Sequence, residues 1–287
     1  MKLLRLVFLL SAMFALSGCT TLYRAVSKPI RSFAHSFEDH KPNRWERYGK
    51  VYYLDGAGNL GYGQDTVPKA LRMVGYRGDI EIFAWTTYTG PIGDQMIRIV
   101  ARKRGEEMTK KILDYRRRYP NTPVYIIGLS AGTGVGVWAV ENLPPEIKVD
   151  TMVLLSSSLS TNYNMTECLR RVKNKVYVLS SPHDMILKSF IHVTGTIDGS
   201  YLSQPAGRVG MYPAQDAPRL QVELYKEKLV NIPWRPSFER LGNDGGHTAS
   251  TSLPFLKYYI CPKLLGFGPR AMSYSADVAS PTPSASE

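Results

Sequence analysis

The stretch Val124-Tyr125-Ile126-Ile127-Gly128-Leu129-Ser130-Ala131-Gly132 decides how this chain is read. Its first four residues are β-branched or aromatic without a polar interruption, the pattern of a strand covered on both faces. The next five spell G-x-S-x-G, in which a serine occupies a sharp strand-to-helix turn. Small residues two before and two after it let neighbouring backbone pass close by. The serine oxygen then projects above the sheet at the start of a helix, whose dipole favours negative charge. Five residues can match by chance, and a plain turn serine is the bland alternative. The context favours a nucleophile, because an apolar strand precedes the motif and a helix of small residues follows it as far as Val140.

Working outward, strands and helices alternate on both sides. Residues 51–54 read as a short strand that runs into the turn Asp55-Gly56-Ala57-Gly58-Asn59. Residues 66–74 read as a helix with Pro68 in its first turn, and 79–86 as a second strand. Residues 92–119 carry apolar side chains at helical spacing until Pro120 and Pro123 stop them. Further strands are expected at 151–155, 175–179 and 229–234, and a closing helix at 248–260. The fold class is therefore α/β, a mostly parallel sheet of about six strands with helices on both faces. Such sheets carry their sites at the carboxyl ends of the strands.

A nucleophilic serine needs a base, and the chain has five histidines. His35 and His40 lie ahead of the domain, His192 sits in a poorly patterned stretch, and His183 directly precedes an aspartate. His247 ends the loop Gly242-Asn243-Asp244-Gly245-Gly246-His247, just before the closing helix. It is the candidate base; a loop histidine bonded to its own turn is the bland alternative. The acid that orients it belongs at a strand end, and Asp184 follows a strand in Ser180-Ser181-Pro182-His183-Asp184. Asp244 is a rival in the same loop as His247, Asp150 precedes its strand, and Asp198 lies in the poorly patterned stretch. A tetrahedral intermediate also needs donors for its oxyanion. The backbone N–H of Ala131 is one candidate, and that of Ala57, or else Gly56, is the other. Gly56 to Gly61 also spell G-x-G-x-x-G after a strand. The acidic partner a dinucleotide site requires is missing from the next strand, so no nicotinamide cofactor is expected.

Taken together, the serine turn at Ser130, the 55–58 loop, Asp184 after a strand and His247 before the last helix resemble the α/β-hydrolase superfamily over roughly residues 50–262. The resemblance implies the chain order Ser, Asp, His and hydrolysis of an ester, thioester or amide through an acyl-enzyme, with neither metal nor organic cofactor. One departure is Asp55, which stands where many members have His-Gly. The segment between Asp184 and His247 is longer than a minimal connection and apolar at Ile186, Leu187, Phe190, Ile191, Tyr201 and Leu202. It is either a cap over the site or a pair of ordinary surface elements.

The amino terminus bears on location. Lys2 and Arg5 precede an apolar run, 6–16, too short to span a bilayer. Leu16-Ser17-Gly18-Cys19 then resembles a bacterial lipobox, which implies cleavage before Cys19 and a lipid on its sulfur. The expected organisation is a signal peptide at 1–18, a tether at 19–48, a hydrolase domain at 49–265 and a low-complexity tail at 266–287. The expected location is the cell envelope, with the chain lipid-anchored at the periplasmic face; Thr20 points to the outer membrane. Net charge is +12, or +10 without Lys2 and Arg5. No nucleic-acid module accompanies it, so its expected partners are the membrane and a small-molecule or lipid ester. Cys168 and Cys261 carry no metal-binding spacing, and the sequence leaves open whether they bridge. Three functions are in play: a carboxylic-ester hydrolase, a peptidase or amidase on the same residues, and a non-catalytic envelope lipoprotein.

Overall fold

In a computed structural model of the chain, residues 40–86, 90–96 and 98–266 are described. Cys19, the apolar run at 6–16, His35 and the low-complexity tail from 267 onward lie outside them. Six strands form a single sheet: β1 (Lys50–Leu54), β2 (Asp79–Ile82), β3 (Val124–Leu129), β4 (Thr151–Leu155), β5 (Val176–Ser180) and β6 (Leu229–Pro233). Their order is β2-β1-β3-β4-β5-β6 and every neighbouring pair is parallel. The helices are α1 (Thr66–Met73), α2 (Gly90–Met96), α3 (Arg98–Arg118), α4 (Gly132–Glu141), α5 (Thr166–Arg170), α6 (Met185–Thr194), α7 (Ala206–Val209) and α8 (Arg219–Lys228). This is the α/β architecture expected from the alternation.

Strand periodicity divides the apolar runs between two cores. Tyr52, Leu54, Ile126 and Met152 face one side, with Met108 and Ile112 of α3, Trp138 of α4 and Tyr225 of α8. Val51, Tyr53, Ile127 and Val153 face the other, with Leu71 of α1 and Phe255, Leu256 and Ile260 near the carboxyl terminus. Both faces are covered, so β1 and β4 are buried at every position. Truncating one such residue, Ile126→Ala for example, costs about 2–5 kcal/mol. Cys168 and Cys261 are both buried free thiols, one in each core, on opposite faces of the sheet. They do not bridge.

Several boundaries differ from the expected ones for visible reasons. The second strand stops at Ile82, where its neighbour β1 is ending, and Trp85 turns to donate its indole N–H to the Asp55 carbonyl at 2.8 Å. The helix expected at 92–119 begins earlier, at Gly90, and runs on to Arg118 as α2 and α3, with Ile97 between them outside the described residues. The closing helix does not begin at 248. A single 3-10 turn at Ala249–Thr251 is broken off by Ser252, which is extended (φ −61°, ψ 139°); the helix proper starts at Leu253, and Leu256–Ile260 is a π-helical turn. Pro262 has no N–H to donate, and a widened turn just before it accommodates that loss. The helix then continues to Leu265 and ends at Gly266 in the left-handed region (φ 73°). The domain also starts earlier than residue 49. His40 and Asn43 bond Asp79, and Glu46 is buried beside Lys50.

Topology selects the place for a site. From β1 the chain crosses to β2 on one side and then returns to β3 on the other. The loops after β1 and β3 therefore leave the same edge side by side, with Leu54 in register with Gly128. A crevice at the carboxyl ends opens where strand order reverses in this way.

Candidate active site

Ser130 follows β3 directly and has φ of 52°. A serine rarely adopts this left-handed conformation, and it is maintained only where the surroundings over-determine it. Here they do. The Ser130 N–H donates to Leu155 O at 2.9 Å, and its carbonyl accepts from the Thr133 N–H at 3.1 Å and the Thr133 hydroxyl at 2.6 Å. The motif glycines are required by contact. A Cβ on Gly132 would lie 2.3 Å from Asp55 O, and one on Gly128 would lie 2.8 Å from Thr133 Cα. The pattern G-x-S-x-G is thus explained by backbone passing backbone on both sides of the serine.

Asp184 sits just past β5 and is fully buried. Its two oxygens have separate duties. Oδ1 accepts the Leu187 N–H at 2.8 Å and so caps α6. Oδ2 lies 2.8 Å from Nδ1 of His247. The rival carboxylates are engaged elsewhere. Asp244 accepts the Gly246 N–H within its own turn, Asp198 holds Ser160, and Asp150 bonds Arg116 and the Val124 N–H at the amino end of the sheet.

His247 is carried by a loop that two residues not singled out from the sequence hold in place. Asn243 Oδ1 accepts the Gly245 N–H at 3.0 Å, and its carbonyl accepts the Trp234 indole N–H at 2.9 Å. Gly245 (φ 86°) lies so near β5 that a Cβ there would come within 2.7 Å of Ser181 Oγ. The other histidines are remote from this arrangement or turned from it. His183 is exposed with its ring edge-on to Trp234, His192 is exposed on α6, and His40 bonds Asp79 at the opposite end of the sheet.

Ser130 and His247 line one cleft of about 510 Å³, together with Gly56, Ala57, Leu60, Tyr62, Pro91, Leu129, Ser158 and Ile186, Leu187 and Ile191 of α6. The two side chains are not hydrogen-bonded to each other in this state. Apo sites commonly hold such pairs loosely and tighten them around substrate. Among the described residues no acidic side chain and no lysine or arginine lines the cleft.

Asp55 explains the loop that departs from the superfamily pattern. It is fully buried, and its carboxylate accepts from the Tyr53 hydroxyl at 3.0 Å and the N–H groups of Gly61 and Tyr62 at 2.5 and 3.1 Å. Burial raises the Asp55 pKa above the ordinary carboxylate value, and these donors only partly offset that. Asp94 of α2, also buried, pins the same loop through the Gly58 N–H at 2.7 Å. Among the described residues no acceptor meets the N–H of Ala57 or Ala131. Ala57 remains the candidate for the second oxyanion donor, and Gly56 is the weaker choice. The G-x-G-x-x-G string has no dinucleotide geometry, since the helix after it opens only at Thr66.

The segment between Asp184 and His247 divides. Its first helix, α6, lines the cleft, whereas α8 is an ordinary crossover helix that packs Tyr225 into the core and bonds Met165 N.

No family model matches the chain, and no curated protein matches its sequence. Among solved structures it is similar to a protein from Xanthomonas campestris pv. campestris described as a hydrolase of the alpha/beta superfamily (12% identity, TM-score 0.37, covering 72% of this chain and 95% of that one). It is also similar to the ydeN gene product of B. subtilis (13%, 0.41, 76% and 99%) and to a cutinase-like protein from Cryptococcus sp. (11%, 0.40, 76% and 95%). The all-parallel six-stranded sheet with its helices defines an α/β protein. Likeness at this level carries nothing about residues or substrate, which rest on the geometry above.

Proposed function

We propose that the chain is a serine hydrolase of carboxylic esters, with Ser130 as nucleophile, His247 as base and Asp184 as the acid that orients it. The observation that carries this reading is the 2.8 Å contact between His247 Nδ1 and a fully buried Asp184, beside a cleft that Ser130 shares. With Nδ1 held by Asp184, Nε2 is the nitrogen free to take the Ser130 proton as Oγ attacks the substrate carbonyl. The tetrahedral oxyanion is met by the N–H groups of Ala131 and Ala57. Its collapse expels the alcohol, which receives the proton from His247. Water then enters, gives its proton to His247 and attacks the acyl-serine; as the acyl C–O bond breaks, His247 returns that proton to Ser130 Oγ and the acid leaves. The apolar lining from Leu60, Pro91 and α6 suits an acyl chain, and the lack of a charged group there favours an ester over a peptide terminus.

A fluorophosphonate probe should label the folded wild type at Ser130 and leave Ser130→Ala unlabelled. A folded wild type that resists the probe ends this reading and leaves the non-catalytic envelope lipoprotein. Side-by-side turnover of p-nitrophenyl esters and aminoacyl anilides separates esterase from amidase.

The lipid anchor on Cys19 and an envelope location belong to the same proposal. They rest on the lipobox-like string alone, since Cys19 lies outside the described residues, and no helix among the described residues is long and apolar enough to cross a membrane. Metabolic labelling with an alkyne fatty acid should mark the wild type and spare Cys19→Ala; equal labelling rejects the anchor.

A further inference from the structure

Apolar side chains are exposed beside the cleft mouth, and they cluster. Leu202 is 99% exposed, Ile99 72%, Val193 67%, Met185 57% and Tyr201 54%. Met185 and Val193 sit on α6, the helix whose other face lines the cleft. The loop after α6 brings Tyr201 and Leu202 alongside. Arg98, next to Ile99 at the start of α3, donates to Thr194 O at 2.8 Å and lies 5.6 Å from the centre of the Tyr201 ring. These contacts join α6, its following loop and the start of α3 into one surface. Soluble chains rarely leave contiguous large apolar side chains in water unless a partner covers them.

The exposed charge on α6 and its following loop is one-sided, and on α3 the cations lie nearer the patch than Glu106 and Glu107, the latter paired with Arg104. Lys188 and His192 are exposed on the outer face of α6, and Arg102 and Lys103 on the first turns of α3. Only two carboxylates occur from 182 to 203. Asp184 is buried against His247, and Asp198 turns inward onto Ser160. Exposed apolar side chains ringed by cations fit an anionic lipid surface, where the apolar groups enter the acyl boundary and the cations meet headgroups.

We propose that this rim docks on an anionic lipid bilayer and turns the Ser130 cleft toward it. The orientation is not imposed by the anchor. Residues 20–39 between Cys19 and His40 span up to about 70 Å fully extended. A domain of this size is only about 35–45 Å across. His40 lies at the amino end of the sheet, opposite the cleft, so twenty residues are enough to let either end of the sheet meet the bilayer, and the rim chooses the face. The proposal rests on the reading of the cleft only for its purpose, which is to present esters held in a bilayer to Ser130.

The test uses the full chain in a Cys19→Ala background, where the remaining cysteines are buried, with an environment-sensitive fluorophore on Leu202→Cys. The control carries it on Glu146→Cys, exposed just ahead of β4 at the far end of the sheet. On vesicles containing phosphatidylglycerol and a spin-labelled lipid, the label at 202 should shift blue and be quenched while the label at 146 does neither. Vesicles of phosphatidylcholine alone should give a smaller effect, and Lys188→Glu should weaken it on the anionic ones. Equal response at both positions, or none at 202, overturns the proposal. So does a label at 202 already shielded without lipid in a chain that sediments as a dimer, since the occupant would then be a second copy. Fluorophosphonate labelling of the same chains reads the catalytic assignment separately, so the two can fail independently.

Discussion

The two ends of the sheet handle buried polarity in opposite ways. At the amino end every charge is matched. Lys50, the first residue of β1, places its ammonium 2.6 Å from Asp79 and 2.8 Å from Glu81, and Glu46 is 3.5 Å away. Lys111 and Arg118 complete the set on Glu81 and Glu46. His40, Asp79 and Glu81 stand close enough to hold a metal ion, but a resident ammonium already occupies the space between those carboxylates. At the carboxyl end no ammonium or guanidinium among the described residues takes that part: Asp55 and Asp94 meet backbone N–H groups and hydroxyls, and Asp184 meets the Leu187 N–H and a single imidazole. There the backbone strain at Ser130 and the free N–H groups of Ala57 and Ala131 are retained. The comparison separates a network that secures structure from one left incomplete so that a substrate can complete it. It also explains how an arm expected to be a tether joins the domain: His40 and Asn43 both bond Asp79.

The comparison can be broken at either end. The largest effect is expected at Ser130 or His247, where replacement by alanine should lower kcat by about 10⁵–10⁶-fold in ester turnover, with Asp184→Asn about 10⁴-fold. At the amino end, Lys50→Met leaves buried carboxylates without their central cation. It should cost about 3–5 kcal/mol in urea unfolding, while kcat of the folded fraction stays unchanged. A fall in kcat equal to that at the catalytic residues would erase the distinction. Smaller again is Asp55→Ala, which frees the donors of the oxyanion loop. Its kcat should drop by up to about 10²-fold, the value of one oxyanion donor, with KM for short esters little changed. Ser130→Gly relieves the left-handed strain and should gain about 1 kcal/mol of stability, net of glycine's entropy, while abolishing turnover.

The smallest effect is one of pH. Burial pushes the Asp79 carboxyl up, but the His40 hydrogen bond, the Lys50 ammonium and the Asn43 amide together hold it well below its ordinary range. A carboxyl depressed in the folded state contributes stability above its unfolded value, near 4, and loses it as pH falls through the folded value. The stability difference between wild type and Asp79→Asn should therefore be constant from neutral pH down to about 5 and shrink below about 4. A difference that stays flat to pH 2 would remove Asp79 from the network.

Much of this was legible in the sequence because it depends on local patterns. The apolar runs at 51–54, 124–127 and 151–155 are strands buried on both faces, and their alternation with helices specifies a parallel sheet. The G-x-S-x-G string encodes contacts within a few residues of itself, so its turn could be read directly. Helix starts and stops were less legible. The π turn has a local cause in Pro262, but the break at Ser252, whose hydroxyl bonds the Leu241 carbonyl eleven residues earlier, has none that a short window of sequence contains. Asp55 carried a visible signal, an acid where the superfamily pattern has a histidine. Its three donors come from residues 53, 61 and 62 in a loop whose path could not be read. Asn243 and Trp234 gave no signal, because their bonds serve loop shape rather than chemistry.

The order of elements, the strained serine and a short list of acids and bases follow from the chain alone, since each is set by side-chain period or by neighbours in the sequence. Which acid meets His247 does not. Asp184 is 63 residues away and Asp244 only three, and the choice falls to the distant one. The crossover through α6, α7 and α8 brings the ends of β5 and β6 together, while the near one is bent back onto its own turn. Distances of that kind exist only after the sheet has closed, because parallel strands are neighbours in space and strangers in sequence.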